Sequence, residues 1–455
     1  MARINRRAFL DRSQRTGLGL AAGLTILRSA ESVYGAPANE RVNLAIAGLR
    51  GRGNHLIAGF LQRTDCRFSY LCDVDTTLFE PRQKTTADLQ GGQAPKCVQD
   101  FRQVLDDKSV DALVVATPDH WHAMMTVFAC QAGKDVYVEK PASYNPFEGQ
   151  KMVEAARKYE RVVQVGTQSR SAPYVAAAKQ YIADGKLGSI HLVRVFNQKF
   201  MQDYAPVPDA PVPSTLDWDL FNGPAPSASY NPNLQRHWHK YWRYSSGDMA
   251  NDGVHQIDMA RMVMDLGLPK TAYCVGGKFN TDGIDETPDT QMAVYEYDGL
   301  VLTFELTLYT PYMLKIPGQV RDSLEDYPYW PQCATRVEIY GSEGLMMVGR
   351  HGGGWQVFVR TKDNLPVIKD QVNGGFPDPE HKENFIQCLR TRERPNADVL
   401  EGHRSALLFQ YATMSYRSGG RKLTIDPVTE QVDDATAMQY FRREYRKPWV
   451  MPETV

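Results

Sequence analysis

Two short stretches of this chain carry side chains able to move protons. One is Glu139-Lys140-Pro141, which follows the apolar run Val136-Tyr137-Val138. β-Branched and aromatic residues fit a pleated sheet and proline cannot donate to a ladder, so the run reads as a buried strand closed by Pro141, with Lys140 at its carboxyl end. In an open α/β sheet that edge is where ligands bind. Partial desolvation there disfavours the charged amine and brings Lys140 toward the range in which it accepts and gives protons. The plainer alternative is an exposed Glu139–Lys140 ion pair, since lysines on loops are mostly solvated.

The second stretch is Asn251-Asp252-Gly253-Val254-His255-Gln256-Ile257-Asp258. It predicts a helix that starts at Asn251 or Asp252 and runs to about residue 266, with Val254, Ile257 and Met264 among its buried residues. Asn251 and His255 then lie one turn apart and can address one substrate. In the first turn His255 feels the positive helix end, which favours its neutral, proton-accepting form. The catalytic candidates are thus Lys140 and His255, positioned by Asn251 and Asp252. Just upstream, His237-Trp238-His239-Lys240-Tyr241-Trp242 interleaves aromatic rings with polar groups. That suits a sugar, whose apolar face lies on a ring while its hydroxyls find partners, although Trp238 and Trp242 can also be core anchors. Candidate substrate contacts are Gln168, Arg170, His237, His239, Trp242 and Asp258.

The elements that must position these groups come earlier. A strand over residues 41–47 runs into Gly48-Leu49-Arg50-Gly51-Arg52-Gly53, and a helical stretch follows over residues 54–63. Strand, glycine turn and helix are the context of a dinucleotide fingerprint, with the pyrophosphate on the helix N-terminus. Arg50 stands where the second glycine belongs, so Gly51 is expected to take that role, with Arg50 or Arg52 offering its donors to phosphate. A second strand, Phe68-Ser69-Tyr70-Leu71-Cys72, ends at Asp73, about 20 residues past Gly53, where an acid binds the ribose 2′-hydroxyl and repels a 2′-phosphate. That favours NAD over NADP. A third strand over residues 112–117 breaks at Pro118-Asp119-His120-Trp121-His122, and a helix from about Trp121 leads to the Lys140 strand.

Three motifs in this order resemble the Gfo/Idh/MocA oxidoreductases: Ala116-Thr117-Pro118-Asp119-His120-Trp121-His122, Glu139-Lys140-Pro141 and the stretch from Asp252 to Asp258. The resemblance covers nearly the whole chain after the first forty residues. It implies that Lys140 and His255 lie beside the nicotinamide and handle the substrate hydroxyl. The candidate cofactor contacts are Gly48, Arg50, Gly51, Arg52, Gly53, Asp73, Thr117, Pro118, His120, His122, Glu139 and Lys140. Members of the family carry an aspartate four positions before the histidine, where this chain has Asn251. An amide binds a hydroxyl but does not exchange protons near neutral pH. Alongside an NAD(H)-dependent sugar, polyol or glycoside oxidoreductase, two alternatives therefore stand: an NAD-dependent glycoside hydrolase using transient oxidation, elimination and re-reduction, and a non-catalytic exported sugar-binding protein.

The implied fold class is α/β: an N-terminal Rossmann domain with a doubly wound parallel sheet, then a C-terminal α+β domain with a large, mostly antiparallel sheet. Boundaries fall at 1–39 for a signal and linker, 40–166 for the NAD-binding domain and 167–455 for the substrate-binding and oligomerisation domain. Asn5-Arg6-Arg7-Ala8-Phe9-Leu10 before a short apolar stretch reads as a twin-arginine signal, predicting export to the periplasm or cell envelope with the cofactor already loaded. That apolar stretch is too short to span a bilayer, so no integral membrane span is expected. In 455 residues with a net charge of −1 there is no basic footprint for nucleic acid. Ten histidines and seven cysteines are scattered without metal-ligand spacing, so no metal site is expected. Hairpins are predicted around Asp298-Gly299 and Gly341-Ser342-Glu343-Gly344, building a sheet that is a common surface for homodimers or tetramers in the family. Residues 216–226 are predicted irregular, and residues 311–333 and 350–375 are expected to be long insertions, with His351-Gly352-Gly353-Gly354-Trp355 able to close over a substrate.

Overall fold

The computed structural model describes residues 41–310, 333–350 and 353–455. The expected signal over residues 1–39, most of the insertion at 311–333, and His351-Gly352 lie outside the described residues. Chain order runs β1 (Val42–Ala47), α1 (Gly51–Phe60), β2 (Cys66–Cys72), α2 (Phe79–Leu89), β3 (Lys96–Val98), α3 (Arg102–Asp106), β4 (Ala112–Val115), α4 (Asp119–Gln131), β5 (Asp135–Val138), α5 (Pro146–Lys158) and β6 (Val163–Val165). These form a six-stranded sheet in the order β3-β2-β1-β4-β5-β6, every neighbouring pair parallel. All four residues of β4 and of β5 are buried. Helices on both faces explain why these strands read as continuous rather than alternating apolar runs.

The chain continues through α6 (Pro173–Ala183), β7 (Ile190–Lys199), α7 (Trp218–Asn222), α8 (Pro232–Arg236) and α9 (Val254–Met264). Then come β8 (Thr271–Gly277), β9 (Thr290–Tyr297), β10 (Leu300–Leu308), β11 (Thr335–Gly341), β12 (Gly344–Gly349), β13 (Trp355–Arg360), β14 (Pro366–Val372), α10 (Asp378–Thr391), α11 (Val399–Arg417), β15 (Leu423–Thr424) and α12 (Ala435–Met438). The second sheet has nine strands in the order β14-β13-β12-β11-β7-β10-β9-β8-β15, antiparallel except for β7 beside β10. Its inner face packs on α6, α9 and α11.

Four differences from the expectation have physical reasons. The glycine stretch is itself helical from Gly51, so the fingerprint's end is the first turn of α1. Residues 79–106, unassigned from sequence, supply α2, β3 and α3; β3 is only three residues long, and a single one of them is buried, too little to show a periodicity. Residues 216–226 are not wholly irregular: Asp217 accepts from Leu220 N at 2.8 Å and caps α7, which stops at Gly223 with φ of 48°. Residues 350–375 are not a bare insertion but carry the β13–β14 hairpin, which extends the sheet.

Candidate active site

At the carboxyl edge of the parallel sheet, Gly48 has φ of +92°, and a Cβ there would stand 2.4 Å from Ala116 O. A Cβ on Gly53 would fall 1.8 Å from Gly48 O. The turn's own packing therefore requires both glycines. Gly51 differs: a Cβ there meets nothing within 4 Å. It lines a cavity of about 290 Å³ together with Gly48, Asp73, Thr117, Pro118 and Trp238. Asp73 accepts from Leu49 N at 2.8 Å and from Asp75 N at 3.0 Å. Burial raises its carboxyl despite those bonds. The open space over the first turn of α1, this acid at the end of β2 and the buried Thr117 hydroxyl without a hydrogen-bond partner fit a dinucleotide.

The two arginines of the turn are differently engaged from expectation. Arg50 Nη2 pairs with Asp75 at 2.5 Å on a half-exposed surface. Arg52 lies between Glu139, at 2.6 Å, and Asp378 of α10, at 2.8 Å. Burial opposes its charge, but the two carboxylates win and hold the guanidinium well above its ordinary value. Both residues line the cavity, yet Arg52 is a brace, and Glu139 is its buried partner rather than a cofactor contact. His120 is also corrected: its Nε2 meets Phe221 O at 2.8 Å and its ring packs 4.8 Å from Tyr244, and burial pushes it well below the usual imidazole value. It is a core histidine. The His122 ring sits between Pro141 O, 2.7 Å away, and Thr117 O, 2.9 Å away, and so ties the cavity wall to the lysine loop.

Lys140 follows β5 as expected. Its amine donates to the carbonyl oxygen of Asn251 and, at 3.1 Å, to Oδ1 of the same residue. Burial lowers the Lys140 pKa from the ordinary lysine value; Asp119, Glu139 and Asp252 oppose the shift and Arg350 adds to it. The exposed ion pair considered from sequence is thus not what forms, since Glu139 is turned to Arg52.

Asn251 belongs to a π-helical turn, Met249–Gly253, that leads directly into α9. The helical run thus begins at Met249, two or three residues earlier than expected, so the buried His255 lies in its second turn rather than its first. Asn251 Nδ2 donates to Asp248 Oδ1 at 3.3 Å. Lys199, at the end of β7, then stands 2.9 Å from Asp248 and 2.8 Å from Asp252, and Arg350 pairs with the other oxygen of Asp252. Asp252 is therefore committed to a buried charge cluster. Burial opposes each charge, yet the pairing wins: Lys199 is held above its usual value and Asp248 below. His239 faces this cluster; burial lowers its pKa to about 4 against the pull of Asp248.

Sequence reasoning missed Lys199, Asp248 and Asp119. A signal for Lys199 existed: Val193, Val195, Asn197 and Lys199 share one face of β7, so two polar residues continue an apolar period. Asp119 opens α4, takes a 2.6 Å hydrogen bond from Ser245, and has a carboxyl raised by burial, with Lys140 and His122 countering.

Other candidates fall elsewhere. Arg170 and Asp258 do meet, at 2.8 Å, and both side chains are buried, joined to Ser405 and Glu401 where α9 packs against α11. Gln168 is buried in the 3₁₀ turn Gln168–Ser171 beyond β6. His237 stacks on Tyr204 with ring centroids 3.8 Å apart, and burial lowers its pKa. Trp242 lines a different cleft, beside Tyr144 and Arg417.

The description "Oxidoreductase family, NAD-binding Rossmann fold" matches residues 42–167, "GFO/IDH/MocA C-terminal domain" residues 175–347, and "Oxidoreductase family, C-terminal alpha/beta domain" residues 345–451. The chain is 31% identical to a levoglucosan dehydrogenase of Pseudarthrobacter phenanthrenivorans over 165 residues, 36% of each chain. It is 23% identical to scyllo-inositol 2-dehydrogenase (NAD(+)) of Bacillus subtilis (strain 168) over 332 residues, 71% of this chain and 80% of that one. The chain spans less than two thirds of the length of some curated relatives it matches, the levoglucosan dehydrogenase among them. Levoglucosan dehydrogenase solved with NADH and levoglucosan shares the fold, with a TM-score of 0.61 at 18% identity over 82% of this chain and 97% of that chain. With an NAD-binding Rossmann half and both C-terminal parts matched in order, this chain belongs to the Gfo/Idh/MocA family of oxidoreductases.

Proposed function

We propose that the protein oxidises a secondary hydroxyl of a sugar, polyol or glycoside, with NAD as its partner in hydride transfer. The observation that carries this reading is the half-buried Lys140 amine, hydrogen-bonded to Asn251 and with its pKa lowered by desolvation, at the sheet edge that also supplies Gly48 and Thr117 to the dinucleotide cavity. Bound NAD supplies the hydride acceptor. The chain's own part is the proton: neutral Lys140 takes it from the hydroxyl oxygen, and a carbonyl forms as the C–H electron pair departs as hydride. Asn251 holds the amine in place through its carbonyl and side-chain oxygens, and His255, on the same helical run, is the second proton-handling group.

The test is purified protein with NAD⁺ and a panel of free sugars, polyols and aryl glycosides, followed by absorbance of the reduced dinucleotide. Accumulation of reduced cofactor with a free sugar or polyol is the expected result. Aglycone release without net reduction would replace this reading with the redox-assisted hydrolase, and failure to bind dinucleotide would replace it with a sugar-binding protein.

Export by the twin-arginine route belongs to the same proposal, supported by Arg6-Arg7 before the short apolar stretch. Replacing both arginines with lysine should leave the protein in the cytoplasm on fractionation. Self-association is supported by the outward apolar side chains Tyr273, Val275, Met292 and Val301 of β8, β9 and β10, each at least 37% exposed. Light scattering that returns a monomer mass would remove that part.

A further inference from the structure

A second cleft, of about 270 Å³, lies beyond the Lys140 loop and shares none of its lining with Lys140, Asn251 or His255. Its walls come from the start of α5, the stretch around Trp242, the end of α11 and the segment after α12. Arginines 243, 417, 442 and 443 line it, against the single carboxylate Glu444.

Aromatic faces hold Arg417 and Arg443. The Arg417 guanidinium sits 4.2 Å from the Tyr440 ring centroid and 4.9 Å from that of Trp242. Arg443 lies over Tyr144 at 4.7 Å. Stacking on a ring holds a guanidinium by its face and leaves the N–H groups at its edge for a ligand. Among the described residues, neither Arg243 nor Arg417 has an ion pair with a carboxylate, and Nε of Arg243 and Nε and Nη1 of Arg443 are buried without a hydrogen-bond partner. Arg443 Nη2 is taken up by Glu148 at 2.7 Å and by the His120 carbonyl at 2.7 Å. Arg442 pairs with Glu453, also at 2.7 Å, and is accounted for.

Buried donors without acceptors are costly, and planar forks of this kind match carboxylate, sulfate and phosphate groups. We propose that this cleft is a second ligand site, which takes a small oxyanion, either free in solution or borne on a sugar. The cavity lies at the small end of ligand pockets, which run from roughly 300 to 1,000 Å³, so it admits one such group and little more. The Tyr144 hydroxyl donates to the Trp242 carbonyl and joins two of the four walls. Those same two chain stretches continue to Lys140 and to Asn251.

Calorimetric titration of the full-length protein with inorganic phosphate, inorganic sulfate, glucuronate, glucose 6-phosphate and neutral glucose tests the proposal. Saturable binding of at least one anion is expected, at least tenfold tighter than glucose, and at least tenfold weaker in Arg417→Gln. Arg417→Lys keeps the charge but not the fork and should recover only part of the loss. Arg243→Gln serves as a second variant should Arg417→Gln unfold. Equal affinity for inorganic and sugar-borne anions assigns the site to the free ion; tighter binding of the sugar-borne forms assigns it to an acidic sugar. Absence of any anion binding above glucose, or affinity unchanged in both glutamine variants, overturns the proposal. Repeating the titration in Lys140→Met separates the two sites, because affinity at this cleft should not change.

Discussion

The Lys140 amine donates to Oδ1 of Asn251 at 3.1 Å, and Nδ2 of the same amide reaches Asp248 at 3.3 Å. A neutral amide thus stands between the lysine and the buried carboxylate that precedes the π turn. Acid and base are linked through it without touching.

Lys140→Met should lower turnover by about 10²–10⁴-fold, the usual worth of a positioned acid–base group. Dinucleotide binding should persist, because the glycine turn and Asp73 are untouched; dinucleotide fluorescence on titration checks the second half.

The pH dependence follows from direction. Oxidation needs neutral Lys140, and burial lowers its pKa, so kcat should rise with pH and level off below the ordinary lysine value. Asn251→Asp places a negative charge against the amine and favours its protonated form. The rising limb of the kcat profile should then move to higher pH by about a unit or more. A profile that stays in place would show that Lys140 is not the titrating base.

The glycines of the turn should separate stability from binding. Gly53→Ala drives a methyl into Gly48 O and should destabilise by about 1–3 kcal/mol. Gly51→Ala meets only open space and sits in the first turn of α1, so thermal unfolding should be unchanged or slightly improved. Its loss should appear in the dinucleotide Kd.

Lys199→Met leaves Asp248 and Asp252 facing each other with less compensation, and should cost about 3–5 kcal/mol in denaturant unfolding. The linkage has a definite sign. Asp248 is depressed, so its contribution is full above the ordinary carboxylate value and is lost as pH falls through the lowered one. Lys199 is raised, so its contribution is full below the ordinary lysine value and is lost as pH rises beyond it. The variant should therefore show a flatter stability profile at both extremes.

Asp73→Asn keeps an acceptor but loses the charge that favours a 2′-hydroxyl. A hydrogen bond to a charged group is worth about 1.5–3 kcal/mol, so kcat/KM with NAD should fall by roughly 10- to 150-fold and the preference over NADP should narrow. Kinetics with both dinucleotides measures this.

Much of this was legible because local chemistry and global position coincide at particular residues. Gly48, Asp73, Thr117 and Lys140 all sit where a parallel strand ends, and the strands before Thr117 and Lys140 announce themselves by unbroken apolar runs. The Asp298-Gly299 hairpin was equally plain, since Gly299 adopts φ of 71° between two alternating strands. What stayed hidden depends on partners distant in sequence. Nothing near Arg52 foretells Asp378, and nothing near His120 foretells Phe221 O. Arg170 and Asp258 looked like substrate contacts because polar residues close to a motif invite that reading, whereas their mutual pairing is visible only once α9 packs on α11. The π turn was also out of reach, as one additional residue in a helical turn leaves no mark on periodicity.

The core around Phe60, Phe68 and Tyr137 in the first half of the chain is completed by Phe385 and Ile386 of α10, and the opposite face of that sheet by Val399, Trp449 and Met451. Synthesis proceeds from the N-terminus, and domains generally fold in that order as they emerge. Here the nucleotide half's own helices cover most of its sheet, and residues more than 200 positions beyond β6 complete both faces. A chain truncated before Trp449 would therefore carry the whole glycine turn and Asp73 yet leave part of that apolar face uncovered, open to chaperones.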